Sequence, residues 1–178
     1  PPMWGHGFWP QPEEARWQHQ ASGQTNTEGE HRLSIAPNKA LDFSDLLFPH
    51  TLDVTTTVTD VNRQQWSTNN TLLVHPSQHY VGLRTEQRFA HIEDTITVQW
   101  VTVDIDGNAV TTDAPDIEVE RLAWEDGNWQ TQDTLNCTPS DKKQTCEFSP
   151  TDSGQYRISA TVTDTEGRQS RSQIHLWV

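Results

Sequence analysis

Apolar and polar residues alternate with a period of two along most of this chain, and no stretch sustains the i, i+3, i+4, i+7 spacing of an amphipathic helix for three turns. A side chain that switches sides at every residue belongs to extended backbone with one face buried. Leu52–Val58, Thr95–Val103, Ile117–Leu122 and Tyr156–Val162 all read this way and are rich in β-branched residues. Turn signals such as Asp106-Gly107-Asn108 and Glu166-Gly167 separate them. The pattern predicts an all-β protein built of antiparallel sandwiches.

An internal repeat doubles that expectation. Glu28–Ile35 lines up with Ser153–Ala160, and Thr57–Gln64 lines up with Thr161–Gln169 if one gap is allowed. The first copy then carries an insertion of about 20 residues, from Pro37 to roughly Leu52, that the second lacks. Two tandem β-sandwiches follow, over residues 1–76 and 77–178. The second has the usual size of a seven-stranded sandwich, about 100 residues. The first is short, so either it is truncated at the start of the chain or its early strands are irregular. One proline and no Gly/Ser spacer at Val74-His75-Pro76-Ser77 predict a tight, semi-rigid join.

Charge narrows the partners. Twelve Lys+Arg stand against 25 Asp+Glu, a formal net charge of -13, and no basic run exceeds Lys142-Lys143. Such a surface repels phosphate backbones and anionic lipid heads, so neither nucleic acid nor a membrane surface is an expected partner. Apolar runs such as Leu72-Leu73-Val74 fall far short of the about 20 residues of a spanning helix, so no membrane insertion by this segment is expected. Eight Trp, five Phe and two Tyr nevertheless supply the bulky anchors of a folded core. The opening Pro1-Pro2-Met3-Trp4 has no charged and apolar leader pattern, and we read the chain as a piece of something longer whose export signal lies outside it.

Cys137 and Cys146 bracket a Pro-Ser-Asp turn. This spacing predicts a disulfide across a hairpin, worth about 2 to 3 kcal/mol by loop entropy, and an oxidising compartment; two reduced structural thiols are the alternative. The eight His show no His-Glu-x-x-His pattern, and Pro76 breaks any helical pairing of His75 with His79, so no metal site is expected. Asp104-Ile105-Asp106-Gly107-Asn108 looks like the start of a calcium loop but lacks its closing Glu, and alternation predicts a hairpin turn there. No nucleophile elbow, phosphate loop or dinucleotide fingerprint occurs, so neither an enzyme nor a cofactor is expected. Carboxylate pairs Glu93-Asp94 and Glu125-Asp126 fall in predicted turns. Asn69-Asn70-Thr71 and Asn136-Cys137-Thr138 match the glycosylation acceptor pattern. Trp4, Trp9 and Trp17 read either as an exposed strip for sugars or as packing residues.

Asp152-Ser153-Gly154-Gln155-Tyr156 is the turn of a tyrosine corner, with Ile158 where an immunoglobulin domain has Cys. Taken in order, Val58–Gln64, Leu73-Val74-His75-Pro76, Tyr80-Val81-Gly82-Leu83-Arg84, Asp104–Gly107, the two Cys, Gly154–Ile158, Asp164–Arg168 and Trp177-Val178 resemble the tandem macroglobulin-like domains of the large bacterial alpha-2-macroglobulin family. The pattern is similar to the third and fourth such domains. The resemblance implies fibronectin/Ig-like sandwiches serving a broad-spectrum endopeptidase inhibitor, a trap in which a bait segment is cut and many members capture the protease through a Cys-x-x-Gln thioester. Neither Cys here has Gln three residues on, so no trapping residue carries over.

The implied role is scaffolding between neighbouring domains of a periplasmic or extracellular parent, free or lipid-anchored, whose target proteases meet other parts of it. From their position near the join, Arg63, Trp66 and Tyr80 are expected to set the interdomain angle. The competing reading, from a different class, is a tandem Ig-like adhesin or carbohydrate-binding module that uses exposed tryptophans.

Overall fold

The computed structural model describes residues 19–34, 46–140 and 144–178. These carry nine strands and no helix: β1 (His50–Thr59), β2 (Gln65–Val74), β3 (His79–Thr85), β4 (Ile96–Asp104), β5 (Asp116–Glu125), β6 (Asn128–Asn136), β7 (Thr145–Phe148), β8 (Gln155–Thr163) and β9 (Gln169–Trp177). All four stretches picked out by alternation lie on strands, β1, β4, β5 and β8.

Strands β3 to β9 form an Ig-like sandwich. A three-stranded sheet in the order β3-β4-β7 faces a four-stranded one in the order β6-β5-β8-β9, and every pairing is antiparallel. The chain changes sheets between β4 and β5, returns between β6 and β7, and crosses again before β8. Alternation fills the space between the sheets. Val81, Ile96, Val98, Trp100 and Phe148 point in from one side, and Ile117, Val119, Tyr156, Ile158, Ala160, Val162 and Leu176 from the other. These side chains are removed from water at roughly 25 cal/mol per Å² of apolar surface, which makes this layer the main source of the sandwich's stability.

The tyrosine corner forms as its sequence predicts. The Tyr156 hydroxyl donates to the Asp152 carbonyl oxygen at 2.9 Å while its ring packs against Phe148, centroids 6.2 Å apart. Gly154 supports it with φ at 145°, and it exchanges two backbone hydrogen bonds of 3.0 Å with Val178. Cys137 and Cys146 are bonded and buried. Between the two cysteines Ser140 and Thr145 pair antiparallel, as a hairpin closure implies, and the bridge does more than close it: Cys137 follows β6 in one sheet and Cys146 lies on β7 in the other, so the crosslink ties the two sheets together where the chain crosses.

Strands β1 and β2 make a two-stranded ribbon by themselves, and among the described elements neither packs substantially on any other. No residue of either strand is buried. By compactness the chain divides into Pro1–Ser44 and Asp45–Val178, so the ribbon, assigned from sequence to the sandwich over 1–76, groups with residues of 77–178. Much of the remainder of 1–76 lies outside the described residues, as do Trp4, Trp9 and Trp17. Residues 19–34 carry a turn and no strand.

Candidate interface

One five-residue loop recurs four times. At Asn26, Asp60, Asp104 and Asp164 the backbone N–H of residue i donates to the carbonyl of i+4, and the N–H of i+3 donates back to the carbonyl of i. The side-chain Oδ1 of residue i accepts the N–H groups of i+2 and i+4, at 2.8 to 3.0 Å in every copy. An Asx side chain is the right length for this capture, so Asp or Asn opens each loop. Position i+3 is left-handed: Gly29, Gly107 and Gly167 have φ of 81°, 86° and 80°, and Arg63 has 64°. The motif that looks like a calcium loop at Asp104 is thus a hairpin turn whose carboxylate is occupied by its own loop. These hydrogen bonds from Asn108 and the following backbone hold that carboxyl below its ordinary range.

The copies at Asp60 and Asp164 match without a gap. Arg63 stands in the place of Gly167, and the strands on either side keep one constant offset through both hairpins, from His50↔Val74 and Gly154–Val178 to Thr59↔Gln65 and Thr163↔Gln169. Even a side-chain link repeats, Gln65 Nε2 to Thr59 Oγ1 and Gln169 Nε2 to Thr163 Oγ1, both 3.3 Å. The gap placed from sequence is therefore unnecessary. Gly29 also belongs to the Asn26 loop and not to a second tyrosine corner, which ends the match of residues 28–35 with 153–160.

This register assigns a counterpart to each side chain. The face of β8 and β9 that seals the core carries Tyr156, Ile158, Ala160, Val162, Ser170, Ile174 and Leu176; the same positions of the ribbon are Leu52, Val54, Thr56, Val58, Trp66, Asn70 and Leu72. Val58 is 51% exposed and Trp66 57%. The ribbon is a core-type face open to water.

Where β2 passes into β3, the chain is held tightly. The Asp164 side chain has no exposed surface, and its Oδ2 accepts the Gln78 N–H at 3.0 Å, the Ser77 hydroxyl at 3.2 Å and Arg168 Nε at 2.9 Å. Burial by itself would raise this carboxyl's pKa; the N–H groups of Gln78, Arg168 and Glu166 and the Arg168 guanidinium outweigh it and hold the group far below the usual carboxylate range. Ser77 Oγ also accepts the His79 N–H, and Ser170 Oγ donates to the His79 carbonyl at 2.7 Å. Tyr80, one of the three residues expected at the join, is here: its hydroxyl is 2.6 Å from His75 Nδ1, and burial raises its pKa. Arg63 and Trp66 are not. They sit at the tip of the ribbon, the far end of β2 from Val74.

The turn expected at Glu125-Asp126 carries a tryptophan cluster that went unread in the sequence. Trp124-Glu125-Asp126-Gly127-Asn128-Trp129 is a two-residue hairpin turn with φ positive at Asp126 and Gly127, and it pairs Trp124 with Trp129. Their rings meet edge to face at 5.3 Å, and Trp129 meets Trp177 of β9 at 6.3 Å, each pair inclined at 72°. The Asp-Gly pair between alternating residues is the signal that finds it. Beside this patch, on the same outer face, Glu120 pairs with Arg157 at 2.7 Å and accepts from Thr131. Burial opposes ionisation of Glu120, yet Thr131 and Arg157 keep its pKa below the ordinary value; burial and then Arg157 lower that of His175.

Among the described residues, no group of three or more His, Cys, Asp and Glu is placed to hold a metal ion. Nor do they include a helix long and apolar enough to cross a membrane. No protein-family model matches the chain, and no curated protein matches it.

Proposed function

We propose that this chain is a structural β-sandwich segment of an alpha-2-macroglobulin-like protease trap, working in the periplasm or outside the cell. The observation that carries the reading is the pairing of a crosslinked sandwich with a second, matching hairpin whose core-type face is open. Tandem sandwiches of this kind hold bait and capture regions, lying elsewhere in a parent chain, at a fixed separation. The ordered motifs from Val58 to Val178 support the family, and a buried disulfide suits an oxidising compartment. In this reading the segment performs no chemical step, and its partners are neighbouring domains.

The adhesin alternative calls for an aromatic platform, and among the described residues Trp124, Trp129 and Trp177 are the exposed tryptophans that cluster, with exposed Trp66 apart from them on the ribbon. The Trp129 ring stands at 72° to each of the other two, so it forms no flat surface with either on which a sugar ring stacks. Edge-to-face clusters are a packing arrangement, which favours a protein neighbour.

The test uses the full-length parent. After incubation with trypsin, loss of activity on a large protein substrate with activity kept on a small peptide is expected. Equal activity on both, with no covalent or sequestered complex, would falsify the trap and send attention to glycan titrations followed by tryptophan fluorescence.

A further inference from the structure

The two segments of chain that flank the ribbon are both fastened to the β8–β9 hairpin. Before β1, the Leu47 carbonyl accepts the Arg171 N–H at 2.9 Å. After β2, Ser77 and Gln78 bind the Asp164 carboxylate, 86 to 87 residues away in sequence. We infer that Asp164 is the joint of this molecule, a positioning residue whose buried carboxylate captures the β2–β3 connector and thereby fixes the direction in which the ribbon leaves the sandwich.

The repeated loop isolates what is special about it. Asp60, Asp104 and Asp164 all use Oδ1 for the N–H groups of their own turn. At Asp104 the second oxygen takes Asn108 Nδ2, again from the same turn. At Asp164 it reaches out of the loop to two donors on the connector. Closing the turn therefore does not require Oδ2; fastening the connector does. A charged acceptor without solvent exposure makes hydrogen bonds that water does not compete for. Pro76 and Ser77 are both buried, so the captured segment is packed as well as bonded. Arg168 completes the arrangement by neutralising the carboxylate from the exposed side. The consequence is mechanical: a displacement of the ribbon is passed to the sandwich through β8 and β9 as a rigid-body movement. This role holds whatever the parent protein does, so it stands or falls separately from the trap.

Residual dipolar couplings of the 178-residue chain test it, with Asp164→Ala and Asp60→Ala as a matched pair. In the unaltered chain and in Asp60→Ala, one alignment tensor is expected to fit both ribbon and sandwich. In Asp164→Ala the sandwich couplings keep their internal fit while the ribbon loses alignment, and protection of the Gln78 amide from exchange falls about tenfold or more. If folded Asp164→Ala keeps a single tensor and the same ribbon direction, or if Asp60→Ala frees the ribbon equally, the joint is not at Asp164. Should Asp164→Ala fail to fold, Ser77→Ala with Gln78→Pro decides. That double variant removes both connector donors and leaves the loop intact; a freed ribbon supports the inference, and an unmoved one overturns it.

Discussion

The β1–β2 ribbon and the β8–β9 hairpin are the same object in two settings. They share an Asp-opened loop, the Gln–Thr link beside it and a strand register matched residue for residue. The one has no buried residue, with Leu52 and Val54 only half-buried, and the other carries Tyr156, Ile158 and Leu176 with no exposed surface. Local sequence therefore determines the hairpin, while its burial comes from elements far away: β5 along one edge of β8, and sheet β3-β4-β7 across the core. An isolated two-stranded hairpin is marginal in water. The comparison teaches that the ribbon's stability is borrowed from its ends, whereas β8 and β9 are held along their whole length.

The largest effect should come from equivalent core-face positions. Ile158→Ala is expected to destabilise the sandwich by about 3 kcal/mol, against less than about 0.5 kcal/mol for Val54→Ala, read from urea unfolding. Similar losses at both sites would mean that the ribbon face is covered in solution. Next in size, replacing Cys137 and Cys146 by Ser should cost about 2 to 3 kcal/mol and show only in the sandwich transition. Ribbon amides that lose protection in step with it would break the contrast.

Acid gives a third, smaller separation. The Asp164 pKa is lower in the folded protein than in the unfolded chain, so the unfolded chain binds the extra proton as pH falls. Its contribution is fully present above the unfolded value of about 3.9 and is lost as pH drops below it. Unfolding midpoints measured from pH 6 to pH 2 should show a shallower acid loss in Asp164→Asn than in the unaltered chain. Smallest of all, the left-handed position should respond with opposite signs. Gly167→Ala should cost about 1 kcal/mol, and Arg63→Gly should gain about 0.5 kcal/mol in the ribbon. A loss on Arg63→Gly would mean that the Arg63 side chain makes contacts that outweigh its backbone cost.

Much of this fold is legible in the residues, because alternation and turn chemistry are local. Strands β1, β4, β5 and β8, the Asp106-Gly107 turn and the tyrosine corner at Tyr156 follow from neighbours a few positions apart. The mistakes have local causes too. Matching Arg63-Gln64 to Arg168-Gln169 put a gap into the repeat, whereas Arg63 stands in the place of Gly167, in a conformation that its type rarely adopts. Eight residues between two Cys suggest a hairpin closure but do not tell that the chain changes sheets there. The joint was the least legible part. Nothing near Asp164 in sequence announces Ser77 and Gln78, and proximity to the expected boundary selected Arg63 and Trp66, which the ribbon carries away.

The ribbon's margins have a practical consequence. Along both strands the only acidic or basic side chains are Asp53 and His50, with no lysine, proline or bulge to discourage a neighbour. Edges of that kind recruit further strands from whatever chain is close by. In concentrated stocks of this segment, clumping would begin at β1 and β2, and a lysine in place of Thr55 or Asn69 is the simplest way to keep it in solution.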